Sequence, residues 1–160
     1  MKAAVRPIAA LALALVMGGH PAPAFACDLP ANAAGLLAAT GAEINAVRQQ
    51  NGRKVLRRSA QLDQAAQRHA CWMSVQNTFS HQGARGSKPR DRIAATGYRA
   101  RLTSENIASG QTSGPQVVAE WMASQGHRAN ILRDKVSDYG IGVALLQGRP
   151  VWVMVYAQPR

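Results

Sequence analysis

Apolar residues recur at intervals of three and four through two long windows in the first half of the chain. Leu36, Leu37, Ile44 and Val47 lie near helical spacing and run up to Asn51-Gly52. Ser59 then opens a second window in which Leu62, Ala65, Ala66, His69, Ala70 and Met73 repeat at three and four. Such spacing gives a helix one stripe to bury, and the flanking serine and Asn-Gly pair are start and stop signals. Two helices are therefore predicted. Ser87 with Pro89 predicts a short helix carrying Ile93 and ending at Gly97. Ser113 with Pro115 predicts another, carrying Val117, Val118, Trp121 and Met122, because proline suits the first helical turn. The stretch from Tyr98 to Ala108 reads as more extended. Farther on, β-rich runs from Tyr139 to Leu146 and from Val151 to Ala157 flank Gln147-Gly148, which predicts a hairpin. Helices followed by a hairpin, with no internal repeat, imply an α+β fold: one domain of helices packed on a small antiparallel sheet.

The first 26 residues stand apart from this pattern. Lys2 and Arg6 precede an apolar run from Ile8 to Met17, and a Pro/Ala stretch ends in Ala24-Phe25-Ala26. That is the pattern of a secretory signal peptide, with an apolar run too short to anchor in a bilayer. The expected division is a signal peptide over residues 1–26, an N-terminal segment over 27–35 and the domain over 36–157. The protein is then exported, secreted or periplasmic, without a transmembrane anchor. A lipid-modified Cys27 is the alternative, although lipoprotein signals prefer a Leu-like residue where this chain has Ala24. Cys27 and Cys71 both survive processing into a compartment where disulfides persist, which predicts one bridge from the N-terminus to a helix, the alternative being a buried free Cys71.

Charge narrows the partners only to a class. The chain has 19 Lys and Arg against 8 acidic residues, and loss of Lys2 and Arg6 leaves 17 − 8 = +9. An exported basic protein is drawn to anionic envelope polymers, acidic lipids and extracellular DNA alike. The basic residues concentrate at Arg53 to Arg58 and Arg85 to Arg101 without interleaved aromatics, so base-stacking platforms are missing and no specific nucleic acid is expected.

Candidate chemistry gathers in three segments: Phe79-Ser80-His81, Glu105-Asn106-Ile107-Ala108, and Trp121 through Ser124, Gly126-His127-Arg128 and Asn130-Ile131-Leu132. They hold half of the four histidines and one of the three glutamates, and a second, Glu120, immediately precedes Trp121. Imidazole and carboxylate side chains near one another supply metal ligands or proton carriers near neutral pH. The structural alternatives are simple: His81 as a cap at a helix end, and His127 hydrogen-bonding backbone in a tight turn beside Gly126. His69 sits at a core-like helical spacing and reads as structural. Trp121, Tyr98, Trp152 and Ile131 read as core or cleft wall, and Arg128 with Asn130 as residues fixing the loop that presents His127, the alternative for Arg128 being contact with an anionic ligand.

These segments, with Arg92-Ile93, Gly97-Tyr98 and Gly140-Ile141-Gly142-Val143, occur in an order and spacing that resembles the bacterial branch of the CAP superfamily, the SCP or cysteine-rich secretory/pathogenesis-related-1 domains. The resemblance covers about Leu36 to Tyr156. It implies an α-β-α sandwich and a cleft lined by two histidines and two acidic residues, which in some members holds zinc or another divalent cation. His81, Glu105 and His127 match three of those positions, so His81 and His127 become the metal-ligand candidates. The fourth position is Ser124 here. Glu120, one helical turn before it, either reaches the cleft or is a solvated helix residue.

No His-Glu-x-x-His or Gly-x-Ser-x-Gly motif occurs, and a disulfide would consume Cys71, so a nucleophile is missing. The expected function is an exported binding or interaction module for a divalent cation, lipid, peptide or envelope component. The competing reading is a metal-dependent hydrolase acting on peptides or cell-wall material.

Overall fold

The computed structural model describes residues 27–160, so the signal-like segment 1–26 lies outside the described residues. In chain order the elements are α1 (Ala33–Gln50), β1 (Arg57–Arg58), α2 (Ala60–Val75), a 3-10 turn (Ala84–Gly86), α3 (Pro89–Ala94), β2 (Ala100–Ser109), α4 (Gly114–Ala123), α5 (Gln125–Ile131), β3 (Asp138–Leu146) and β4 (Arg149–Pro159). The two amphipathic windows become α1 and α2. The Gln147-Gly148 hairpin is present, with φ of 51° and 74° at its two turn residues, the left-handed pair that a tight two-residue hairpin requires.

The sheet order is β1-β3-β4-β2. β4 pairs antiparallel with β3 on one side and β2 on the other, as an antiparallel sheet requires; the two-residue β1 adds to β3 in parallel, which makes the sheet mixed. β4 is central because its run Val151–Ala157 is apolar at every position and buried at every position. Trp152, Met154 and Tyr156 join a core with Ile44 of α1, Val117, Val118 and Trp121 of α4, and Ile131 of α5. Val151, Val153, Val155 and Ala157 join a second core with Leu62, Ala65, Ala66 and Met73 of α2 and Ile93 of α3. The result is an α-β-α sandwich. Gly140 and Gly142 let α2 lie directly on β3: a Cβ at either would stand 2.1 Å from the Leu62 backbone or 2.5 Å from that of Gln67. On the opposite face Ile141 and Val143 fill the first core.

Both sheet edges are partly covered, as exposed edges in stable proteins usually are. Beyond the short β1, α2 side chains cap β3: Asp63 Oδ1 accepts from Ile141 N at 2.9 Å, and Gln67 bonds both backbone groups of Val143. Asp28 O accepts from Leu145 N at 2.7 Å. That places the N-terminal segment beside α2, where Cys27 and Cys71 form the disulfide across a separation of 44 residues. By the entropy of the loop it closes, this bridge contributes roughly 3–4 kcal/mol; urea unfolding with and without reductant measures it.

Two expectations about local structure are corrected. The helix after Ser87 is capped by Lys88, whose N–H donates to Asp91 Oδ2 at 2.9 Å, and it stops at Ala94, before Gly97. His127 lies within α5, not in a loop or tight turn.

Candidate functional site

β2 is the edge strand on the far side of β4, and its alternating side chains meet both helical layers. Ile107 packs with the α2/α3 core and Ala108 with the α1/α4/α5 core. By alternation Glu105 faces the first layer and Asn106 the second. The site forms where elements of both layers reach around this strand.

On the α2/α3 side, the carboxylate of Glu105 is only 1% exposed, and each of its oxygens has a partner. Oε1 accepts from His81 Nδ1 at 2.9 Å and Oε2 from Arg92 Nη2 at 2.6 Å. A carboxylate placed there needs such partners, since burial without them is costly. Arg92 does more: its Nη1 donates to the backbone carbonyls of His81 at 3.1 Å and Ser87 at 2.7 Å. His69, itself buried, holds the preceding residue through Nε2 to Ser80 O at 2.8 Å and stacks on Trp72. Because Ser80 O accepts only, Nε2 carries the proton; Nδ1 has no partner among the described residues. His69 is structural, as expected. His81 is thus presented by a fixed loop, with Nδ1–H spent on Glu105 and Nε2 left over on a side chain that is 53% exposed.

On the other side, α5 is pinned to β2 by amides. Asn130 Nδ2 donates to Asn106 Oδ1 at 2.9 Å and to Glu105 O at 3.3 Å, and Asn106 Nδ2 donates to His127 O at 3.1 Å. Asn130 thus ties α5, not a loop, to β2, and Asn106 holds the backbone of His127, whereas Arg128 is exposed with no side-chain partner among the described residues. The half-buried imidazole of His127 likewise has none. Its pKa lies below the ordinary 6.5, chiefly through desolvation and next through the nearby His81, with Glu120 pulling it partly back. It is neutral at pH 7.

Glu120 is neither a partner of Glu105 nor simply solvated. Its Oε2 accepts from Gln111 Nε2, and its charge acts on His127. The structure thus joins His81 directly to Glu105, sets His127 within electrostatic reach of His81, and ties Glu120 to the His127 side alone. Arg92 and Gln111 were not singled out as site residues from sequence. Arg92 had a signal, since a buried glutamate needs a counter-charge and α3 offers one.

The donor set does not make a closed metal site. Both oxygens of Glu105 are committed, both cysteines are in the disulfide, and among the described residues no three His, Cys, Asp or Glu side chains are grouped to hold a metal ion. Two imidazoles remain, and water would complete any coordination shell.

The family model for CAP, the cysteine-rich secretory protein family, matches residues 42–156. The chain is 33% identical over 112 residues to the uncharacterised protein YkwD of Bacillus subtilis, a span covering 70% of this chain and 43% of that protein. It spans less than half the length of the curated relatives it matches. Among solved structures, an extracellular protein containing an SCP domain from Bacillus anthracis superposes with a TM-score of 0.71 at 24% identity, covering 79% of this chain and 41% of the other. An outer surface protein from Borrelia burgdorferi gives 0.70 at 21% identity, covering 75% and 90%. At these identities the likeness is one of fold.

Proposed function

Starting from the cysteine-rich secretory protein (CAP) family, to which this chain belongs, we propose an exported binding module whose cleft takes a divalent cation such as zinc on His81 and His127. Export rests on the signal-like residues 1–26 and agrees with the extracellular bacterial relative; no helix among the described residues is long and apolar enough to cross a membrane.

The observation that carries the proposal is the bond from His81 Nδ1 to Glu105. A carboxylate behind an imidazole fixes its tautomer and turns the Nε2 lone pair outward, the arrangement found behind metal-bound histidines. Arg92 holds that carboxylate in place and Asn106 fixes the backbone of His127, so the ring of His81 and the helix that carries His127 are positioned before a ligand arrives. The depressed pKa keeps His127 in its ligand form at neutral pH. A bound cation would supply a positive centre in a basic protein, able to recruit an anionic group of an envelope component, lipid or peptide.

Calorimetric titration of zinc at pH 7 into the protein and into a folded His81→Ala, His127→Ala double variant tests this. One-site binding lost in the double variant supports it, and equally weak binding in both overturns it. A defined hydrolytic turnover abolished in a folded His127→Ala variant would move the reading to the metal-dependent hydrolase.

A further inference from the structure

Most of the basic run from Arg85 to Arg101 has no part in the histidine cleft; only Arg92 serves it. A cavity of about 500 Å3 lies between α3 and the start of β2, lined by Arg90, Tyr98, Arg99, Arg101, Thr103 and Arg160 among others. Four of its residues are arginines and none is acidic. Among the described residues none of the four is in an ion pair with an aspartate or glutamate, although Arg53, Arg57, Arg58 and Arg92 all are. All four are exposed. Four unpaired cations around one concavity repel each other, and an anion in the concavity relieves that repulsion.

The lining also says what kind of anion. Guanidinium forks match phosphate oxygens in bidentate fashion, and a cavity this size has room for more than one phosphate. Tyr98, its one aromatic residue, is buried with its hydroxyl donating to Asp138 at 2.7 Å, so no ring is offered for base stacking. A strand-like acidic peptide fits poorly, because the edge of β2 is bulged between Ala100 and Leu102, and Arg160 already caps the carbonyl of Ala100. A membrane surface is flat while the site is concave, and none of the exposed large apolar side chains, Leu29, Val55, Val75 and Phe79, lies in it. We propose that this groove binds a base-free phosphate chain, a polyphosphate or phosphodiester polymer, through Arg90, Arg99, Arg101 and Arg160. None of these residues belongs to the histidine cleft, so the two sites stand or fall separately.

Sodium tripolyphosphate is the probe, titrated at near-physiological salt into the intact protein, an Arg99→Ala, Arg101→Ala variant, and an Arg68→Ala, Arg149→Ala variant that removes the same charge from exposed positions outside the groove. Circular dichroism confirms that each variant folds. Losing charge-assisted contacts should weaken binding about tenfold or more in the groove variant, against about twofold in the control. Equal weakening in the two variants, or no binding by the intact protein, would overturn the proposal. So would tighter binding of a deca-glutamate peptide or an oligothymidylate of matched charge, or binding confined to phosphatidylglycerol vesicles; each would assign the groove to peptide, nucleic acid or membrane instead.

Discussion

On one side of the cleft, His81 is bonded through its ring to a buried carboxylate, and an arginine grips both that carboxylate and the histidine's own backbone. On the other side only the backbone of His127 is fastened, and its ring has no hydrogen-bond partner among the described residues. The first half is a buried charge network whose members depend on one another. The second is a short helix docked by amides, carrying a neutral imidazole beside an exposed glutamate. The difference separates two jobs: the Glu105 side contributes to folding and orients its histidine, while the His127 side contributes little to stability and keeps its ring available.

The largest effect should come from breaking the buried pair. Arg92→Ala leaves the carboxylate of Glu105 without its cation, and should cost about 3 kcal/mol or more in urea unfolding. Glu120→Ala, on the exposed side, should cost well under about 1 kcal/mol. Similar losses for both would break the comparison. The histidines should differ in the same sense, by less. His81→Ala removes one charge-assisted bond and should cost about 1–2 kcal/mol, whereas His127→Ala should stay within about 0.5 kcal/mol.

A smaller effect follows pH. Desolvation, first among the causes, lowers the pKa of His69 and of His127 below 6.5, so the unfolded chain takes up these protons at higher pH than the folded one. Stability from this source is complete above about pH 6.5 and is lost as pH falls through that value toward the folded pKa values, below which the curve flattens. His69 is the more deeply buried and should supply most of the slope. His127→Gln should therefore make the curve only slightly shallower in denaturation midpoints taken between pH 7.5 and 5. A slope abolished by that single change would place the titration on the wrong side of the cleft.

Much of this was legible in the sequence. The three- and four-residue spacing located α1 and α2, and the unbroken apolar run Val151–Ala157 located β4, because both patterns record burial directly. The signal-like pattern of residues 1–26 made the cysteine pair readable. β2 was harder: its first half, Ala100 to Glu105, is mostly polar, since an edge strand lined by a site and an open groove has little apolar surface to bury. Its extended character showed, but not the pairing of nine of its ten residues with β4. α5 is seven residues long with Gly126 near its start, too short to show a period, which is why His127 read as a loop residue. The motif order singled out His81, Glu105 and His127. Which atoms pair is a tertiary fact: nothing local to Arg92 or Glu105 fixes that a guanidinium on α3 will face a carboxylate 13 residues away, or that Gln111 will take Glu120.

The central claim is that His81 and His127 hold one cation with Glu105 behind the first of them, and anomalous scattering from zinc-soaked crystals at neutral pH tests it most directly. The expected result is a single strong peak about 2.0–2.1 Å from Nε2 of His81 and from one ring nitrogen of His127, with water as the remaining ligands and the His81 Nδ1 to Glu105 bond intact. A peak coordinated by Glu105 with that bond broken, or no peak at either histidine, would contradict it.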